Sequence, residues 1–179
     1  SSPKERQDMD HHAIGLIEVN SIAKGFEVCD VMAKTANVSV LVAKSICPGK
    51  YIIMIGGDVA AVRQSVEAGE HTAASTIVDK FVIPNIHPSV LPAISGGNSI
   101  EAVQAMGIIE TYSVAATIEA ADAAVKAASV IPLRMHLAFG IGGKSYVVLS
   151  GNVADINAAV DAGSAVASER GFLVNRVSR

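Results

Sequence analysis

The chain has 179 residues, half of them apolar, with a net charge of −3 and a pI near 5.9. That balance offers no basic footprint for nucleic acid, and with 4% aromatic residues and no Trp there are no stacking platforms for single strands. No apolar run reaches the roughly 18 residues that a membrane helix needs, and two cysteines do not make a disulfide framework, which fits a reducing, cytoplasmic location. The polar stretch Ser1-Ser-Pro-Lys-Glu-Arg-Gln-Asp8 has no apolar signal core and reads as a tag remnant or a disordered extension.

Taken in chain order, the apolar run 13–19 reads as a buried strand. Ser21 is placed to cap a helix whose apolar stripe is expected at Ile22, Phe26, Cys29, Ala33 and Ala36. Strands are expected at 38–43 and 51–55. Gly56-Gly-Asp58 then turns the chain into a second helix, with Asp58 as its N-cap and Val59, Val62, Val66, Gly69 and Ala73 facing inward. A strand over 77–83 completes the unit. Pro84-Asn-Ile-His-Pro-Ser-Val-Leu-Pro92 and Ser95-Gly-Gly-Asn98 are dense in residues that break regular structure, as a linker would be. The order then repeats. A strand is expected at 105–111, and a helix capped by Ser113 with its stripe at Val114, Ile118, Ala121, Val125 and Ala128. Strands at 133–138 and 146–149, a helix capped by Asn152 and a strand at 172–177 follow.

The residues themselves repeat. Segment 13–38 matches 105–130 at 11 of 26 positions with an offset of 92, and 49–74 matches 143–168 at 9 of 26 with an offset of 94. A two-residue length change in the intervening loop accounts for the shift. The chain is therefore read as two duplicated domains, 9–99 with the linker and 100–179, after the extension 1–8, with the boundary near 95–103. Each has the order β-α-β-β-α-β, an α/β (α+β) arrangement of the ferredoxin-like kind.

Three features together carry a family resemblance: the strand start Ala13-Ile-Gly-Leu-Ile-Glu18, the helix end Asp30-x-x-x-Lys34-x-Ala36, and the turn Gly56-Gly-Asp-Val-Ala-Ala-Val62. The chain resembles bacterial microcompartment shell proteins over 12–178. Ser45-Ile-Cys-Pro-Gly-Lys50, Asn85-Ile-His-Pro-Ser-Val-Leu-Pro-Ala-Ile-Ser95 and Met135-His-Leu-Ala-Phe-Gly-Ile-Gly-Gly-Lys144 narrow this to the tandem-domain class of propanediol-utilisation compartments. The resemblance implies a homotrimer whose six domains form a flat pseudohexameric disc with a central pore. It also implies tiling against other shell proteins at the disc edges. Duplication then lets three positions around the ring differ from the other three. The family's pore loop falls on Ile46, Cys47, Pro48 and Gly49 in the first copy. In the second it falls on 138–143, with Phe139, Gly140, Ile141 and Gly142 lining the pore. The same resemblance implies an iron–sulfur cluster on the threefold axis, one Cys47 thiolate from each chain, and a redox partner enzyme in the lumen. Such a cluster would be of the 4Fe-4S type with one iron open to an outside ligand, or of the 3Fe-4S type.

Taken by itself, a lone Cys is more often a packing or surface thiol, and one chain offers no run of thiolates able to hold a cluster. Threefold symmetry changes that count, Pro48-Gly49 supplies a tight turn, and Lys44 and Lys50 lie close enough in sequence to offset a cluster's negative charge. Cys29 has Ala121 as its counterpart and reads as core. Lys34 and Lys126 each follow an Asp by four residues, the spacing of an intrahelical ion pair; the resemblance makes them disc-edge contacts. His87 belongs to the linker, and His136 stands near the place of Lys44, flanking the pore loop. Gly140-Ile-Gly-Gly-Lys144 lacks Walker spacing. Glu18 and Glu110 read as structural hydrogen-bond acceptors in strands. The leading expectation is a shell protein, not an enzyme, whose pore carries a redox cluster. A shell protein with a plain small-molecule channel is the alternative, and a soluble ligand-binding protein the reading from another class.

Overall fold

In the computed structural model, residues 13–98, 104–137 and 144–179 are described, and they form two compact units. The first comprises 13–45 with 49–86, the second 46–48 with 87–179.

The first unit runs β1 (Ala13–Val19), α1 (Ile22–Thr35), β2 (Ser39–Ile46), β3 (Lys50–Gly57), α2 (Val59–Ala73) and β4 (Ile77–Ile83), with a single 3-10 turn before β4. Its antiparallel sheet has the order β2-β3-β1-β4, the split β-α-β-β-α-β arrangement expected from the sequence. Both helices start where a polar side chain satisfies an orphan amide. Ser21 Oγ accepts from the Lys24 N–H at 3.2 Å, and Asp58 Oδ1 accepts from the Ala61 N–H at 3.0 Å. All seven residues of β1 are buried, so this strand is covered on both faces. Ile17, Val28, Met32, Ile53, Ile55, Val62 and Val66 form the apolar layer between sheet and helices.

The inner stripe of α1 differs from the expected one. Gly25, Val28 and Met32 are buried, whereas Ile22 and Phe26 are 43% and 63% exposed and Ala33 is exposed. The helix is rotated by about one residue, 100° in an α-helix, from the expected stripe. Tyr51 fills the space above Gly25, and a Cβ on Gly25 would lie 2.4 Å from its ring. Phe26 rests against the same ring with centroids 5.1 Å apart.

The second unit repeats the plan with β5 (Ala105–Thr111), α4 (Val114–Ala127), β6 (Ile131–His136), β7 (Ser145–Gly151), α5 (Val153–Glu169) and β8 (Leu173–Ser178), in the order β6-β7-β5-β8. Ser113 and Asn152 cap its helices, accepting from the Ala116 and Asp155 amides. The ladder shifts register at Glu18/Val19 in one sheet and at Glu110/Thr111 in the other, so even this irregularity is duplicated. Strand β6 begins at Ile131, ahead of the expected start. Pro132 is tolerated there because β6 is an edge strand, and its register slips between Pro132 and Arg134. Strand β5 alternates, with Ala105, Gly107, Ile109 and Thr111 buried and Met106 and Ile108 outward, where full burial was expected.

The segment after β4, read as a linker, contains a short helix, α3 (Val90–Ser95), with Val90 and Ala93 buried. From His87 onward these residues belong to the second unit.

Candidate pore-loop site

Strands β2 and β3 form a hairpin closed by the three-residue turn Cys47-Pro48-Gly49. Gly49 has φ +63, a left-handed conformation that a side chain disfavours, so the residue type follows from the turn. The Cys47–Pro48 bond is cis. Ile46 is buried, Cys47 half-buried, and Pro48 and Gly49 are exposed. The Cys47 thiol is free of any disulfide.

The two lysines flanking this turn differ in state. Lys44 is exposed, whereas Lys50 lies 3.4 Å from the carboxylate of Glu18, a residue with no exposed surface. Lys50 therefore balances a buried carboxylate rather than standing free to offset a cluster, and Lys44 is the flanking cation open to solvent. The pairing follows from the sheet: Glu18 sits on β1 beside β3, and Lys50 is the first residue of β3. In the second unit Lys144 stands 3.7 Å from Glu110, with both side chains partly exposed. These glutamates, expected as structural hydrogen-bond acceptors, are also the ion-pair partners of lysines that no local spacing marks. The signal was present, since Glu18 and Lys50 recur as Glu110 and Lys144 at the repeat's own offsets.

The pore-loop residues of the second copy, 138–143, including Phe139, Gly140, Ile141 and Gly142, lie outside the described residues. Among the described residues no three His, Cys, Asp or Glu side chains gather as a metal site.

Cys29 sits on α1 at the margin of the apolar layer, half-buried. Burial, and secondarily the Asp30 carboxylate, push its thiol up from the ordinary value. Burial also raises Tyr51, with Cys29 adding to the effect. Neither residue belongs to the turn.

The helix-end lysines both make the ion pair that their spacing allows. Lys34 meets Asp30 at 2.7 Å, with side chains 74% and 61% exposed, and Lys126 meets Asp122 at 2.5 Å. Asp122, unlike Asp30, is buried and also accepts the His87 backbone N–H at 2.9 Å. That second role was not visible in the sequence, because His87 and Asp122 lie 35 residues apart. His87 Nδ1 is 2.8 Å from Ser89 Oγ. His136 stacks on Tyr146 across β6 and β7, ring centroids 5.3 Å apart.

Comparison with known proteins gives a consistent picture. The model of the BMC domain matches residues 13–86 and again 105–178. The bacterial microcompartment shell protein PduT of Citrobacter freundii is 57% identical over 164 residues, which is 92% of this chain and 89% of that protein. The shell protein PduA of the same organism is 31% identical over 84 residues, 46% of this chain and 90% of that one, so it corresponds to a single copy of the repeat. Among solved structures, a microcompartment protein from Desulfitobacterium hafniense superposes with a TM-score of 0.85 at 52% identity, covering 93% of this chain and 92% of the other.

Proposed function

This chain belongs to the BMC domain family as a structural shell protein of a bacterial microcompartment, and on that premise we propose that three copies close into a ring, with Cys47 of each supplying one thiolate to an iron–sulfur cluster on the axis. The cluster would carry electrons across the shell.

Two faces exposed in one copy and buried in the other support ring closure. Ile22 and Phe26 are 43% and 63% exposed, yet their repeat counterparts Val114 and Ile118 are fully buried. Conversely, Met106 and Val177 are 38% and 41% exposed, while Ile14 and Phe81, at the matching positions, are at 0% and 5%. Exposed apolar faces of this kind mark surfaces for association, and the other copies of a ring would cover them.

The observation that carries the redox half is the placement of Cys47: a free, partly exposed thiol at the tip of a hairpin, with no cysteine in the second copy's loop. The donor set fits. The chain's two cysteines are fewer than the thiolates a cluster takes, and three chains would bring three soft Cys47 thiolates, which suit iron–sulfur centres and would leave one position for an outside ligand. When bound, such a group exchanges single electrons. The chain's own part is to hold the three thiols at one place: the Gly49 turn sets their direction, and the buried Glu18–Lys50 pair fixes the base of the hairpin. At the disc edges, the helix-end lysines Lys34 and Lys126 are the candidates proposed for contact with neighbouring shell proteins, and an enzyme inside the shell is the proposed redox partner.

The test is iron and sulfide analysis with electron paramagnetic resonance on anaerobically purified protein and its Cys47→Ala variant. One cluster per three chains, lost in a variant that remains trimeric, is the expected result. A wild-type trimer that stays free of iron after anaerobic reconstitution would refute the cluster and leave the plain channel.

A further inference from the structure

The two helix-end lysines occupy the same repeat position, yet their carboxylates are in different situations. Asp30 holds Lys34 through both oxygens, at 2.7 and 2.8 Å, and this pair stands in solvent. Asp122 is 6% exposed and divides its oxygens: Oδ2 takes the Lys126 ammonium at 2.5 Å, and Oδ1 takes the His87 N–H at 2.9 Å. His87 begins the segment that joins the two copies. That segment is tied again at its far end, where the Asn98 amide donates to the Ser89 and Pro132 carbonyls at 3.0 and 2.7 Å. Between the ties, Val90 and Ala93 of α3 are buried.

A buried carboxylate without a cation carries a large desolvation penalty, whereas an exposed one does not. Lys126 is thus needed at home in a way that Lys34 is not. Releasing Lys126 toward a neighbour would strand Asp122 and weaken the acceptor that holds His87. Releasing Lys34 leaves both partners hydrated, at almost no cost for an exposed pair. We infer that the duplicated lysines have divided their work: Lys126 with Asp122 clamps the joining segment 87–98 onto the second unit, and Lys34 is the exchangeable ammonium that reaches the carbonyls or carboxylates of an adjacent shell protein. The second half rests on the edge-contact reading above; the first does not.

Two measurements separate them. Hydrogen exchange of the intact protein reads the clamp. Asp122→Ala should speed exchange in 87–98 about tenfold, the loss of one charge-assisted hydrogen bond. Asp30→Ala should leave that segment unchanged, and Asp122→Asn, which keeps an acceptor but no charge, should fall between them. Unchanged exchange in 87–98 for both Asp122 variants would overturn the clamp. Sheet formation at high protein concentration, followed by electron microscopy, reads the edge. Lys34→Ala should lose sheets and keep its melting temperature, whereas Lys126→Ala should keep sheets and melt lower. Loss of sheets in Lys126→Ala at unchanged melting temperature would overturn the division of work. Sheets retained in both lysine variants would remove the edge-contact reading and the division with it, while the exchange result would still judge the clamp.

Discussion

Gly69 and Gly163 are the same position of the repeat, and adding one methyl group at each should have different consequences. At Gly163 on α5, an alanine Cβ would lie 2.6 Å from the Ala120 carbonyl oxygen of α4, a backbone atom, and 2.6 Å from Ile109 Cδ1. At Gly69 the nearest atoms are Met32 Cγ at 2.6 Å, Ile17 Cδ1 at 2.7 Å and Met32 Sδ at 2.8 Å, all side-chain atoms. Methionine has three rotatable bonds and gives way; a helix backbone moves only with its whole helix. Overpacking costs about 1–3 kcal/mol, and replacing Gly by Ala inside a helix returns about 1 kcal/mol. Gly69→Ala should therefore be close to neutral, and Gly163→Ala should lose about 1–2 kcal/mol. For a chain of this size that is a fall in melting temperature of roughly 2–8 °C. Circular dichroism melting and urea titration of both variants under one set of conditions make the comparison. Gly163→Ala proving as stable as Gly69→Ala would refute the argument that backbone contact between α4 and α5 decides the outcome.

The ion pairs supply a second paired comparison. Lys50→Ala removes the cation beside a carboxylate that has no exposed surface, so urea unfolding should show a loss of about 3 kcal/mol, against less than about 1 kcal/mol for Lys144→Ala at the partly exposed pair; equal losses would contradict it. Gly49→Ala meets no atom within 4 Å but must adopt φ +63, so it should lose about 1 kcal/mol and disturb the Cys47 turn, while Gly49→Asn, which tolerates that conformation better, should lose less. For Cys29, the pH profile of alkylation in a Cys47→Ala background should lie at higher pH in the folded chain than in the urea-unfolded one, since burial and then Asp30 raise its thiol; a folded midpoint at or below the unfolded one would disprove the shift. The folded chain holds this proton more tightly than the unfolded one, so the associated stability is present below the unfolded thiol's pKa and is lost as pH rises through the folded value.

The short helix α3, in the segment read as a linker, was not legible in the sequence, whereas the repeat, the order of strands and long helices within each copy, and the side-chain N-caps of those four helices were. Each is written in local signals: apolar runs, a Ser, Asp or Asn one residue before a helix, and two segments that match at a fixed offset. The Cys47 turn was legible for the same reason, since Pro48-Gly49 between two strands leaves few other conformations. Which face of α1 points inward was not, because Phe26 and Ile22 are as apolar as Val28 and Met32, and the rotation shows only in the packing, with Tyr51 over Gly25 and Met32 against Gly69. The partners of Glu18 and Asp122 were hidden too. Sequence reports a charge, but whether that charge is buried, and which cation or amide reaches it, depends on strands and segments that come together only in three dimensions. Lys34 and Lys126 are written with the same four-residue spacing; the buried carboxylate beside His87 is what makes them different residues.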